Sequence, residues 1–325
     1  MYNPNDPKIV ALGGGTGLST MLRGLKKWTQ NITAIVTVSD NGGNSGLLRE
    51  EMNMLPPGDI RNCLVALANT EPTMEKLLQY RFKEGVLAGQ NFGNLFLAAL
   101  SEISGSFEEA VRVSEKVLAI TGRVVPVTLE RVNLKADFDD KTQVIGEIQI
   151  VAYAKKTRAK IIDIVLEPAN PDPTPDAIEA IENADAIILG PGSLYTSIIP
   201  NLLVHDISKA ISKAKKPVIY ISNIMTQPGE TVGFGVYDHI RELEHYLGKG
   251  VINTVIINSQ EIPKDWLAMY LEDGADMIGF EPLAFKDDTI QIIKAPVMKI
   301  NEKKKVIRHD SEKLAKIIMD LIQTN

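Results

Sequence analysis

The sequence predicts an α/β fold: a doubly wound, mostly parallel, Rossmann-like sheet with a helical insertion and a strand-rich excursion. Three observations predict it. Several short β-branched runs are apolar on both faces, as strands covered by helices on both sides must be. Amphipathic segments with helical spacing lie between those runs. Glycine clusters stand where a run gives way to such a segment, which is where an α/β unit has to turn sharply.

The strands come first in the argument. "KIVAL" (8–12), "ITAIVTV" (32–38), "KIIDIVL" (160–166), "AIIL" (186–189), "PVIYIS" (217–222) and "NTVIIN" (253–258) read as buried parallel strands joined by right-handed crossovers. Leu18, Met21, Leu22 and Leu25 form one helical stripe, and Leu203, Val204, Ile207 and Ile211 a second. Leu314, Ile317, Ile318, Leu321 and Ile322 form a third. Residues 47–120 read as a helical insertion. Residues 122–155 read as a strand-rich excursion in which "VIGEIQIVAY" (144–153) alternates through its first half. In "EPANPDPTPDA" (167–177), Thr174 or Asp176 is placed to cap the next helix. No repeat or low-complexity linker divides the chain, so one domain over 1–325 is expected.

Composition narrows the function. The chain has 325 residues, 44% of them hydrophobic, and a formal charge of -6 with its cations dispersed. Lys303, Lys304 and Lys305 form its one basic run, which reads as a solvated face, so a nucleic-acid footprint is not expected. Cys63 is the single cysteine and falls at an apolar helix position, so it reads as buried, and a reducing compartment fits. No signal-peptide pattern opens the chain and no apolar run is long enough to span a bilayer, so a cytoplasmic protein is expected. His205, His239, His245 and His309 share no metal-ligand spacing, and no nucleophile elbow appears.

Two glycine turns carry the chemistry. In "ALGGGTGLSTML", Gly13, Gly14, Gly15 and Gly17 join the first strand to the first helix, with Thr16 among them. Glycine lets a ligand approach backbone N–H groups, and a helix start adds unpaired donors and partial positive charge. No lysine follows, so this is not the triphosphate loop, and Leu18 breaks the dinucleotide fingerprint. In "IILGPGSLYTSIIPNLLV", Gly190, Gly192 and Ser193 follow another buried strand, with Thr196 and Ser197 offering hydroxyls. Two such turns along one sheet suit a ligand with two phosphates, or with a phosphate and a sugar.

"TVSDNGGNSG" (37–46) adds Asp40 and Asn41 behind the second strand. Asp40 lies where a ribose-binding carboxylate should, and it equally suits a Mg²⁺ held against phosphate. Asp59, Arg61 and Asn62 in "PPGDIRNCL" (56–64), and Asn91 and Asn94 in "GQNFGNLFLAAL" (89–100), sit at helix starts where capping competes with ligand contact.

Together "GGGTGLS", "TVSDNGGNSG", "LPPGDIRN", "GNLFLAAL", "GPGSLYTSIIPNLLV" and "NIMTQPGE" resemble the bacterial gluconeogenesis factor family, the YvcK-type proteins. These are related to CofD-type 2-phospho-L-lactate transferases. The resemblance runs from about residue 8 to "VIRHDSEKLA" (306–315). It implies a cytoplasmic UDP-sugar-binding protein, UDP-N-acetylglucosamine being one such ligand. The implied role is in cell shape and wall-precursor supply on gluconeogenic carbon sources, with no established reaction. It also implies ligand contacts at Thr16, Asn201, Tyr270 and Arg308. One departure is that Asn41 stands where the family usually has a second aspartate, which weakens a Mg²⁺ site.

Three readings follow. The favoured one is a regulator that binds a UDP-sugar across the two turns and signals to a protein partner in amino-sugar or cell-wall synthesis, with no required cofactor and with homo-oligomerisation open. The second is a Mg²⁺-dependent transferase of phospho-acyl or sugar-phosphate groups, using Asp40 and Asp59. The third, a nicotinamide enzyme, rests on the spacing of Asp40 alone.

Overall fold

A computed structural model of the chain describes residues 6–280 and 289–324. β1 (Ile9–Gly13), α1 (Gly15–Leu25) and β2 (Ile32–Val36) come first. A run of helices follows: α2 (Gly43–Glu51), α3 (Gly58–Leu67), α4 (Pro72–Leu78), α5 (Phe92–Ser104) and α6 (Phe107–Val117). Then come β3 (Arg123–Pro126), β4 (Asn133–Phe138), β5 (Gln143–Ile145), α7 (Glu147–Thr157), β6 (Ile161–Glu167) and α8 (Pro175–Glu182). β7 (Ala186–Leu189) leads through a π-helical turn, Leu194–Ile198, into α9 (Ile199–Leu202) and α10 (Ile207–Ala214). β8 (Val218–Ile221), α11 (Val236–Leu247), β9 (Thr254–Asn258) and α12 (Lys264–Glu272) complete the alternation. The remaining elements are β10 (Gln291–Ala295), β11 (Met298–Asn301), β12 (Val306–His309) and α13 (Ser311–Thr324).

Seven strands form one parallel sheet in the order β10-β9-β8-β7-β1-β2-β3. β1, β7 and β8 are buried at every position, which is why their sequences show no alternation. The α1 stripe of Leu18, Met21, Leu22 and Leu25 is fully buried. α1 packs against both α3 and α13. Cys63 is buried within α3, as expected.

Four expectations are corrected. Residues 160–166 do not join the parallel sheet. They supply β6, the edge of a three-stranded antiparallel sheet, β5-β4-β6, and exposed Ile162 and Val165 alternate there with buried Ile161 and Ile164. "VIGEIQIVAY" is not a strand beyond Ile145: Gly146, at φ 101, ends β5, and α7 begins at Glu147. Thus the 122–155 excursion divides three ways, with β3 in the main sheet, β4 and β5 in the small one, and α7 a helix. The second helical stripe is also broken, because Asp206 at φ 59 separates α9 from α10.

Thr174 is the residue before α8, yet its hydroxyl donates to Pro126 O instead of capping the helix. Between Gly43 and Val117 the regular elements are helical, joined by an isolated bridge between Arg81 and Asn91.

Candidate functional site

From β1 the chain adds β2 and β3 on one side, and from β7 it adds β8, β9 and β10 on the other. The β1–β7 boundary is therefore the switch point, where an open α/β sheet leaves a crevice beyond its strand ends. Both glycine turns lie there. Gly15 begins α1 at φ 64, a left-handed value that side chains resist. The turns also touch. A Cβ on Gly17 would overlap Pro191 O, and one on Gly192 would stand 3.5 Å from Gly14 O.

Around them opens a cavity of about 560 Å³. Gly14, Gly15, Thr16, Gly17, Gly192, Ser193, Tyr270 and Arg308 line it, so these sequence-predicted residues are brought together. Arg308 is exposed on β12, and its Nη1 donates to Ile307 O at 2.8 Å. Tyr270 lines the cavity while its hydroxyl accepts from Ile307 N at 2.8 Å.

Other predicted residues lie beneath or beside the cavity. Asn201 is fully buried, and its Nδ2 donates to Gly13 O at 3.1 Å and to Ser197 O at 2.8 Å. It braces the first turn from below and does not line the cavity. Gly13 and Gly190 form the turns without lining it. Asp40 Oδ1 accepts from Gly42 N at 2.7 Å, closing its own loop. Asn41 is engaged by α7, donating to Gln149 Oε1 at 2.8 Å and accepting from Ile148 N at 3.1 Å. Asn62 accepts from Arg61 Nη2 at 2.7 Å and faces a neighbouring cleft. Asn91 caps α5, accepting from Asn94 N at 3.1 Å. Asp59 is not a cap: α3 begins one residue before it, and its carboxylate accepts from Gly15 N.

That last bond is one of a pair. Tyr195 N and the Thr196 hydroxyl each donate to Glu230, at 3.2 Å. Each helix start therefore already faces a carboxylate. In the second turn Tyr195 N–H and the Thr196 hydroxyl, one of the hydroxyls expected from sequence, are both turned to Glu230. Thr16 and Gly17 keep first-turn N–H groups that have no acceptor within the helix.

The carboxylates titrate abnormally. Burial, then the charge of Asp40, pushes Asp59 up to about 6. Burial pushes Glu230 up to about 7. Glu147 is driven to about 9 by burial and by the charges of Asp40, Asp59 and Glu230. It is protonated near neutrality, and the Thr196 hydroxyl links it to Glu230.

Asp40 and Asp59, mutually repelling, suit one Mg²⁺ that would be completed by ligand oxygens. Among the described residues no group of three His, Cys, Asp or Glu is placed to hold a metal by itself.

Sequence reasoning missed Glu147, Lys155, His309 and the roles of Asn223, Gln227 and Glu230. Asn223 Nδ2 donates to Gly192 O at 2.8 Å, and Gln227 Nε2 donates to Ser193 Oγ at 2.6 Å, so "NIMTQPGE" clasps the second turn. Its place directly after β8, at the same end of the sheet, is the signal that points to it. Buried His309 is held well below the usual imidazole range, at about 4, by desolvation.

The sequence profile of the family described as 2-phospho-L-lactate transferase CofD matches residues 9–298. The chain belongs to the CofD family. Within that family its relatives are gluconeogenesis factors. This CofD-family chain is 53% identical over 319 residues to a Thermoanaerobacterium thermosulfurigenes protein provisionally named gluconeogenesis factor, covering 98% of each. It is 44% identical to the gluconeogenesis factor of Bacillus subtilis, covering 98% of each. A crystal structure of a UPF0052 family member from Bacillus halodurans superposes with a TM-score of 0.90 at 38% identity, over 95% of this chain and 98% of that one. The Rossmann-like fold is thus shared by that solved UPF0052 family member. No helix among the described residues is long and apolar enough to cross a membrane.

Proposed function

We propose that the cleft binds a UDP-sugar such as UDP-N-acetylglucosamine and that the protein is a cytoplasmic regulator. In this reading it reports the bound state to a partner protein of amino-sugar or cell-wall synthesis, and so bears on cell shape and on growth from gluconeogenic carbon. The observation that carries the reading is the abutment of the two glycine turns at the switch point, with Arg308 at the rim. The diphosphate belongs on the first turn, against Thr16 and Gly17 N–H and the Arg308 fork. The second turn, its helix start occupied by Glu230, receives the uncharged part of the ligand, for which Ser193, Asn223 and Gln227 supply hydroxyl and amide groups. Charged hydrogen bonds are worth roughly 1.5–3 kcal/mol each, and micromolar affinity needs about 8 kcal/mol, so a few suffice once ordering costs are met.

Thermal melts with UDP-N-acetylglucosamine, with NAD and with Mg²⁺ alone test this. The UDP-sugar at a hundredfold over its Kd adds about 2.7 kcal/mol of stability. Arg308→Ala abolishes that shift and leaves the unliganded melt nearly unchanged, because the side chain is exposed and, among the described residues, bonds only to a neighbouring carbonyl. A shift with NAD alone rejects the reading.

The Asp40–Asp59 pair beside Gly14 favours a second reading, a Mg²⁺-dependent transferase of phospho-acyl or sugar-phosphate groups. There the two carboxylates hold the ion, which neutralises phosphate charge, and the glycine turn orients the phosphate. Ligand consumption that requires Mg²⁺ distinguishes it.

A further inference from the structure

A second, larger cleft of about 1020 Å³ opens beside the first, between α1, α3 and the β11–β12 hairpin. It shares Thr16, Arg308 and His309 with the first cavity, so the two meet at a common wall. In a chain of net charge -6 its lining runs strongly the other way. Arg61 and Arg81 stand on one side, Lys299, Lys303 and Lys304 on the other, and Glu302 is the only acidic residue among the described lining residues.

Two features set this apart from a solvated basic surface. Lys299 and Arg308 are direct cross-strand partners on the β11–β12 ladder. Like charges placed opposite one another are unfavourable unless something neutralises them. Across the cleft, the Arg61 guanidinium is fixed by neutral amides alone: Nη1 donates to Asn94 Oδ1 at 2.8 Å and Nη2 to Asn62 Oδ1 at 2.7 Å. Its Nε is buried without a partner. Burial, then the charge of Arg81, lowers its pKa to about 10, against the smaller opposing charges of Asp59 and Asp40. Among the described residues no carboxylate lies within ion-pair distance of Arg61, Arg81, Lys299, Lys304 or Arg308. Arg23, also on the wall, is by contrast paired with Glu75 at 2.7 Å.

We infer that this cleft is a second anion site, which takes a small, multiply phosphorylated molecule bound separately from the ligand of the first cavity. Its volume is that of a small-molecule pocket. Its cations converge from α3, the Arg81 bridge and the β11–β12 hairpin onto one open cleft, as capture of a compact polyanion requires and an extended acidic polypeptide does not. An anion lying between Arg61 and the Lys299–Arg308 pair relieves both unfavourable features at once. The shared wall makes the two ligands neighbours, so occupancy of one can alter the affinity of the other.

The test is calorimetry of the full chain with inorganic tripolyphosphate as probe. The wild-type protein binds it, and the double variant Lys299→Glu/Lys304→Glu binds at least tenfold more weakly. Both side chains are exposed, and circular dichroism checks the fold. Arg81→Ala, tested separately, weakens binding in the same direction. Saturating UDP-N-acetylglucosamine leaves measurable tripolyphosphate binding. Absence of binding to the wild-type protein, binding that both variants retain, or complete displacement by the UDP-sugar each overturns the inference. If the UDP-sugar itself does not bind, the reading of the first cavity fails, while the variant comparison still decides this one.

Discussion

Glu147 shows what one side chain reveals about the buried carboxylates behind the two turns. Its carboxyl faces Asp40, Asp59 and Glu230, and its pKa rises from the ordinary 4.5 to about 9. The folded state therefore holds this proton more tightly than the unfolded chain. The stability that this supplies is complete below about 4.5 and is lost as pH climbs toward 9. Glu147→Gln keeps the shape and removes the titration. Melting temperatures of variant and wild type should nearly coincide at pH 5 and diverge in the variant's favour at pH 8.5; parallel curves would refute the burial of this charge. Nothing in the sequence flagged Glu147, because an antiparallel subsheet that periodicity did not resolve carries it beside Asp40, Asp59 and Glu230. Thr16 and Arg308 were legible through their motifs. Asn201 was legible as a polar residue near the turn but not in its position: the sequence names an amide without telling which side of the turn it occupies. Here it lies below, bonded to Gly13 O and Ser197 O.

At the level of elements, α1 is seated by two glycines with different tasks. Gly17 lets the helix start meet the β7 turn, and Gly24 lets α13 approach, since a Cβ there would overlap Ser311 O. Glycine to alanine inside a helix ordinarily stabilises by about 0.5–1 kcal/mol. For Gly24→Ala the sign should reverse, to a loss of about 1–3 kcal/mol, as for other overpacked sites. Urea denaturation with an unchanged m-value measures it; a stabilised variant would contradict the packing. The parallel strands were readable because burial on both faces erases alternation. β6 was misread for a related reason: "KIIDIVL" is apolar enough to pass for a doubly covered strand, although Ile162 and Val165 lie exposed. α7 was misread because Gly146 converts the last strand residues into a helix start within one step.

On the scale of the molecule, the sheet is two contiguous halves joined along β1–β7, with the proposed ligand lying over the join. Hydrogen exchange should report this. With UDP-N-acetylglucosamine bound, amides of 14–17 and 223–230 slow, while those of the β5-β4-β6 sheet keep their rates. Uniform slowing, or none at the two loops, would place the ligand elsewhere. The overall charge was legible from composition, but its separation was not. Lys303 and Lys304 read as a solvated run, and only the fold brings the β11–β12 hairpin opposite Arg61 and Arg81.

The seating of α13 on α1 has a consequence for biosynthesis. The two helices are far apart in the sequence, so the phosphate loop leaves the ribosome long before the brace behind it. A nascent chain, however much of its sheet has formed, lacks that brace until residue 311 onward has emerged. Recognition of the nucleotide would then arrive late and abruptly, once α13 has joined the loop it braces.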